Sequence, residues 1–377
     1  MRLPDYSHSS LSVTASLFDY FGGHTDYPRL PQIDHMLSKG GIDNLLLILA
    51  DGMGENLLRR HLPEGAFLRR HDKAALSSVY PSTTAAAATS LWTGLSPISH
   101  GWLGWSLYFK KCARQIDTFT GAESYLGDRY PSGSPAPLLM PLPELPSGME
   151  GVETHLIFPS DSCALHLARY PHVIQPFGDA LSLAAQLVRR PGKHLIGLYT
   201  PQPDHTLHEK GVNAPESRAC FARINREIEL FSASLPANTL LVVTADHGLV
   251  DSTMPVYLSD IPSIDQCLWM PPAIEPRCSA LYVKPFRRAQ FEREFRAACG
   301  EDFVLFSREA FLENGLFGPG APHPMAEDFL GDYIACAVGE RHLRYHTLSC
   351  KKTDMIGRHA GLTEDEMTVP LILYRGQ

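Results

Sequence analysis

Five stretches of the chain are short and apolar almost without interruption. The clearest is NLLLILAD, Asn44 to Asp51, with Asp43 before it and Gly52 after it. A run of this length with no alternation suits a strand buried on both faces of a parallel sheet. The pattern returns in THLIFP (154–159), in HLIGLYT (His194 to Thr200), in TLLVVTAD (Thr239 to Asp246) and in TVPLILY (Thr368 to Tyr374). Between these runs the apolar positions shift to helical spacing. Asp179 to Arg190 is one such segment, and Glu216 to Leu235 is another, with Phe221, Ile224, Ile228 and Phe231 on one face. Strands alternating with helices predict an α/β fold with a mostly parallel central sheet flanked by helices.

Two segments break the pattern. Residues 131–148, PSGSPAPLLMPLPELPSG, are rich in Pro, Gly and Ser and read as an irregular loop on the surface or over a cleft. Residues 254–345 carry short strand-like and helix-like pieces, such as SALYVKPF and AQFEREFRAAC. They predict a small α+β subdomain inserted into a catalytic core made of residues 1–253 and 346–377. A chain of 377 residues is long enough for this arrangement.

The formal net charge of -8 argues against a general nucleic-acid or anionic-membrane surface. It leaves a small phosphate ester open as substrate, because bound metal ions reverse the local sign. The eight cysteines are scattered with no CxxC pair, which predicts reduced, mostly buried thiols and no cysteine-bound zinc. The N-terminal MRLPDYSHSSLSVTASLF has no basic stretch leading into an apolar core, so the expected location is cytoplasmic. No apolar run approaches a membrane span.

In an open α/β sheet, ligands bind at the carboxyl ends of strands. Asp51 ends the first apolar run, the third continues through Pro201-Gln202-Pro203 to Asp204, and the fourth closes on Asp246-His247-Gly248. Asp204 and His208 are four apart and share a face if that stretch is helical. His359 lies in GRHAGL shortly before the last run. Each residue alone reads as a turn or cap, but together at one sheet edge they read as a metal site. Carboxylate and imidazole without thiolate suit zinc, with manganese or magnesium as alternatives. The ligands are too many for one ion and enough for two, and paired ions clamp the attacking and leaving oxygens of a phosphoryl group. The stretch VYPSTTAAAATSLWTG adds three hydroxyls, Ser82, Thr83 and Thr84, ahead of a run of helix formers. Ser82 is the expected N-cap. A hydroxyl at a helix N-terminus either caps the helix or meets an incoming phosphate.

These blocks resemble the type I phosphodiesterase and nucleotide pyrophosphatase branch of the alkaline phosphatase superfamily. LLLILADGMG is similar to the first metal-ligand strand of that branch, YPSTTAAAATSLWTGLSPISHG to its nucleophile block and PDHTLH to its Asp-x-x-x-His block. TADHG and GRHAGLTEDEMTVPL complete the set. The N-terminal LPDYSHSSLSV and SREAFLENGLFGP extend the likeness to bacterial alkaline phosphatase family proteins. The resemblance implies a phosphoric ester hydrolase with Thr84 as nucleophile. It implies one ion on Asp51, Asp246, His247 and the Thr84 oxygen, and a second on Asp204, His208 and His359. It also implies in-line attack on phosphorus and a phospho-threonine that is then hydrolysed. Where the family carries a phosphate-contacting Asn after the His-Gly of its nucleophile block, this chain has Trp105. Trp102, Trp105 and Tyr108 either stack a flat leaving group or pack the rim of the sheet. His155, His166, His194 and His205 read as ordinary surface or core residues, with His205 also placed to touch a ligand from behind.

The substrate expected from this reading is a small phosphate diester, with nucleotides among the candidates. Arg358 beside His359 keeps a phosphomonoesterase open, and a phosphonate hydrolase shares the same residue types. A sulfatase is a poorer fit, because YPSTTAAA lacks a C/S-x-P-x-R sequence. A non-catalytic metal-binding relative would be expected to have lost Thr84 or a ligand, and all are present.

Overall fold

The computed structural model describes residues 1–128, 136–141, 148–159, 171–173, 176–348 and 355–377. Its centre is a seven-stranded sheet. In chain order the strands are β1 (Asn44–Ala50), β2 (Asp72–Ser77), β3 (Val152–Phe158), β4 (Pro171–Val173), β5 (Lys193–Thr200), β6 (Thr239–Thr244) and β7 (Thr368–Arg375). Their spatial order is β2-β7-β6-β1-β5-β3-β4. The five strands from β6 to β4 are parallel, while β7 runs antiparallel to both β6 and β2. All five predicted runs are strands of this sheet. Every residue of β1 and β6 is buried, so both faces are covered. This explains why their sequences show no alternation. The flanking helices include Phe177–Leu187 and Pro215–Ser232, close to the predicted spans.

A second sheet of six strands lies beside the first. Its order is Phe303–Ser307, Tyr333–Ala337, Cys278–Leu281, Ala273–Glu275, Ser106–Phe109, Arg114–Asp117, with antiparallel neighbours throughout. Four strands come from the 254–345 segment, and two come from residues 106–117, directly after the stretch that carries Thr84. This sheet has its own apolar core, which includes Phe109, Ile116, Phe311, Phe329 and Ile334. Within 131–148 only 136–141 and 148 are described, as a short helix Ala136–Leu139 with Ala136 and Met140 buried in that core; the rest of the Pro-rich stretch lies outside the described residues.

The two sheets are tied by a buried ion pair. Arg277, just before Cys278, donates Nε to Glu366 Oε1 at 2.7 Å and a terminal nitrogen to Oε2 at 2.8 Å. Both side chains are fully buried. The same guanidinium donates to the carbonyls of Arg341 and Gly339, and Glu366 also accepts from Gly361 N–H and the Thr363 hydroxyl. The loop between His359 and β7 is therefore held by the second sheet. Six cysteines are described and all are free, five buried and Cys112 exposed; Cys163 and Cys350 lie outside the described residues. No helix among the described residues is long and apolar enough to cross a membrane.

Candidate active site

The ends of β1, β5 and β6 lie side by side, since Ala50 pairs with Thr200 and Leu49 with Thr244. Asp51 leaves β1 with its N–H donated to the Thr200 carbonyl, and its own carbonyl accepts from Asp204 N–H at 2.9 Å. Asp51 and Asp204 are thereby fixed on adjacent turns. Gly52 has φ +72°, and a Cβ there would come within 2.9 Å of the Asp204 Cα, so only glycine permits this approach. A Cβ on Gly248 would lie 2.0 Å from the Asp365 carbonyl oxygen, which packs the Asp-His-Gly turn directly on the loop before β7.

Asp204 opens a helix, Asp204–Lys210, that brings His208 round one turn. Nε2 of His208 lies 3.2 Å from Asp204 Oδ2. Asp246 follows β6 and accepts from the N–H groups of Gly52 and His247 through Oδ1. The three histidines share one device. Nδ1 of His208 donates to the Gly357 carbonyl, that of His247 to Gly248 and that of His359 to Ser82. A carbonyl can only accept, so each Nδ1 carries a hydrogen, and in the neutral ring each Nε2 turns a lone pair inward for a metal ion. The His247 and His359 rings stack at 3.9 Å.

Two sets of ligand atoms result: Asp51, Asp246 and His247 in one, and Asp204, His247 and His359 in the other, each within 4.8 Å. His208 joins the second set through Asp204, and His247 falls in both. Burial pushes the Asp51 carboxyl well up, and the Asp246 and Asp204 carboxylates add to it. Burial also raises Asp204, but His208, His359 and His247 outweigh it and leave that carboxyl below its ordinary value. Burial, reinforced by His247, holds His359 well below the usual histidine range, so its imidazole is neutral. Asp246 Oδ2 and Asp204 Oδ1 are shut off from solvent with no hydrogen-bond partner among the described residues. Crowded carboxylates, orphaned oxygens and three imidazoles with lone pairs turned inward fit divalent cations, and these six residues would hold them.

Thr84 is the first residue of the helix Thr84–Thr93. Its Oγ1 lies 3.4 and 3.3 Å from the two oxygens of Asp51 and 3.3 Å from His247 Nε2. Of the three hydroxyls, only this one reaches the cluster. Ser82 is not the N-cap; Thr83 occupies that position. Ser82 donates its hydroxyl to the Gly361 carbonyl, and Thr83 donates to Glu275 Oε1 at 2.8 Å. The cap moves because Ser82 is needed to anchor the loop behind His359.

Trp105 is 43% exposed and meets Phe119 edge to face at 5.1 Å. Its backbone N–H donates to Glu275 Oε1. Trp102 is buried, and Tyr108 meets Tyr282 edge to face within the second sheet, so neither offers a free ring. His205 does not support a ligand: its side chain is exposed and lies 3.5 Å from Glu209, on the outer side of the helix. His166 lies outside the described residues.

Two residues at the site carry no separate signal in the chain. Tyr199 donates its hydroxyl to Asp51 Oδ2 at 2.5 Å, orienting that carboxylate. Its place inside an apolar run is its one mark. Glu275 reaches Thr83 and Trp105 from the second sheet, 191 positions beyond Thr84 (275 − 84). Ile274 before it has φ 75°, a conformation rare for a β-branched residue, and such strain gathers at functional sites. Burial pushes the Glu275 carboxyl up to about 7, against the hydrogen bonds from Thr83 and Trp105.

A parallel α/β sheet with this cluster at its carboxyl edge defines an alkaline-phosphatase-like hydrolase of phosphoric esters. A family model described as type I phosphodiesterase / nucleotide pyrophosphatase matches residues 45–131 and 154–361, and the chain belongs to that family. No curated protein matches by sequence. Among solved structures, murine ectonucleotide pyrophosphatase / phosphodiesterase 5 is similar at 16% identity, with 88% of each chain covered and a TM-score of 0.63. Its inactive form in complex with AMP is similar over 87% of each chain, at 16% identity and a TM-score of 0.61. The human counterpart is similar at 16% identity over 88% of this chain and 87% of that one, with a TM-score of 0.63. At this identity the likeness speaks for the fold.

Proposed function

We propose that the chain hydrolyses phosphate diesters of the nucleotide type, with Thr84 as nucleophile. The observation that carries this reading is the position of Thr84 Oγ1, at a helix start and within 3.4 Å of both Asp51 oxygens and of His247 Nε2. The free N–H groups and positive dipole end of that helix favour an approaching phosphoryl group. The Thr84 proton already points into a group of acceptors. Oγ1 attacks phosphorus in line as the bond to the leaving alcohol or nucleotide breaks, giving a phospho-threonine. Water then breaks the Thr84–phosphorus bond and restores the hydroxyl.

Asp51, Asp246 and His247 would hold one divalent ion, with Asp204, His208 and His359 holding a second. When bound, such a pair supplies positive charge that neutralises the phosphoryl oxygens and acidifies the oxygens it touches. Zinc is the metal that carboxylate and neutral imidazole suit best. A nucleotide substrate is supported by the murine relative in complex with AMP. The half-exposed Trp105 supplies a flat surface for such a group to stack on.

A second reading, a phosphomonoesterase, is favoured by Arg358. Its side chain is buried beside His359, and Nε has no hydrogen-bond partner among the described residues. A free guanidinium edge suits the extra charge of a monoester. Turnover of a bis-aryl phosphate against an aryl phosphate separates the two. The diesterase reading expects the bis-aryl ester to be preferred, and a monoester preference of about a hundredfold, some 2.7 kcal/mol of differential transition-state binding, overturns it.

A further inference from the structure

At the opposite edge of the central sheet, three ligand-type residues meet on one face. Glu153 and His155 alternate on β3, and His194 on β5 is paired directly with Glu153. His172 on β4 pairs with Ile157, two residues beyond His155, and so joins the same face. His194 is the second residue of β5 and Thr200 its last, so the group lies about 20 Å from the catalytic edge at 3.3 Å per residue.

The hydrogen positions decide what this group can do. His194 Nε2 lies 3.3 Å from the Arg190 carbonyl and donates to it, which in the neutral ring leaves Nδ1 as a lone pair. His155 Nδ1 shares a hydrogen with His172 Nε2 at 3.3 Å. With that hydrogen on His155, its Nε2 is also a lone pair. Both lone pairs face the same oxygen: Glu153 Oε2 is 3.5 Å from His155 Nε2 and 3.8 Å from His194 Nδ1. Both nitrogens are shut off from solvent and lack a hydrogen-bond partner among the described residues, and the His194 side chain is 0% exposed. Three ligand-type atoms converge here, and two of them are buried nitrogens without a partner among the described residues, an arrangement that suits a cation.

We propose that Glu153, His155 and His194 bind a divalent transition-metal ion of the zinc type, separate from the catalytic cluster. Two imidazoles and one carboxylate are a set that such ions take, and bonds of about 2.1 Å place neighbouring ligand atoms about 3.4 Å apart. All three ligand atoms lie within 4.8 Å of one another. Glu153 is 62% exposed and gives the ion a way in. His172, bonded to the far side of His155, fixes that ring as the carbonyl of Arg190 fixes His194. The ion ties β3 to β5 and, through His172, steadies the three-residue edge strand β4.

The test counts ions in the full-length chain. The protein is stripped with a chelator, reloaded with zinc at low micromolar concentration, cleared of excess and measured by elemental analysis. Wild type is expected to hold one more zinc ion per chain than Glu153→Ala or His155→Gln, with circular dichroism unchanged. Glu153 is a surface residue, so its variant keeps the fold even if a variant at the fully buried His194 does not. Cobalt loading adds a second readout: the wild-type spectrum exceeds that of both variants by the visible absorption of one further tetrahedral site. Equal zinc content and equal cobalt spectra in all three proteins overturn the proposal. The count does not depend on Thr84 or on any phosphate ester.

Discussion

Glu275 sets a residue-scale prediction that does not depend on the substrate. Its carboxyl is pushed up to about 7 from an ordinary value of 4.5 in the metal-free protein, chiefly by burial. A raised folded-state value means the folded chain holds the proton more tightly than the unfolded chain. The contribution is therefore full below about 4.5 and is lost as pH rises towards 7. The difference is about 3 kcal/mol. Asp72, also raised to about 7, titrates in the same window, so the comparison must be with Glu275→Gln. That variant keeps an acceptor for Thr83 and Trp105, and urea unfolding at pH 4.5 and 7.5 should show a smaller loss of stability than in wild type. Tyr199→Phe makes a second residue-scale case. It removes the donor to Asp51 and leaves the ring in the core, so turnover should fall about 10- to 100-fold with stability nearly unchanged. A steady-state assay beside a thermal melt checks this.

Among the elements, the loop between His359 and β7 is held in place by the Arg277–Glu366 pair. Arg277→Met leaves the Glu366 carboxylate buried without its partner and should cost about 3–5 kcal/mol, read as a lowered urea midpoint. The strands and helices of the central sheet follow from the chain itself. Burial on both faces makes β1 and β6 unbroken apolar runs, and the helix Pro215–Ser232 keeps its apolar face at regular spacing. The second sheet is harder to read. Ser106–Phe109 and Arg114–Asp117 are short, and Ala273–Glu275, which completes the sheet beside them, lies more than 150 positions away. Chain pattern reports burial and period, and it does not report which distant strands pair. The same limit hides Glu275 behind Thr83 and the meeting of His155 with His194. The six Asp and His residues that the structure brings together could be picked out because each sits in a short, recognisable block, Asp51, Asp246 and His247 just past strand ends. The N-cap was displaced from Ser82 to Thr83 by a hydrogen bond to Gly361, 279 positions away.

For the molecule as a whole, the site is built where repulsion must be relieved. Asp51, Asp204 and Asp246 come together without solvent, and two of their oxygens lack partners among the described residues. Folding alone pays this cost, so divalent ions that bind only the folded chain should stabilise it. At free ion a hundredfold above Kd the gain is about 2.7 kcal/mol per site, and chelation should lower the melting temperature reversibly. If Thr84 is the nucleophile of a phosphodiesterase, its removal should abolish turnover of an activated nucleotide diester. Zinc-loaded wild type and Thr84→Ala are incubated with p-nitrophenyl thymidine monophosphate, and release of p-nitrophenol is followed. Wild type should turn over steadily and Thr84→Ala should lose about a thousandfold or more, with metal content unchanged. Equal turnover by the two proteins, or none by metal-loaded wild type, would contradict this role for Thr84.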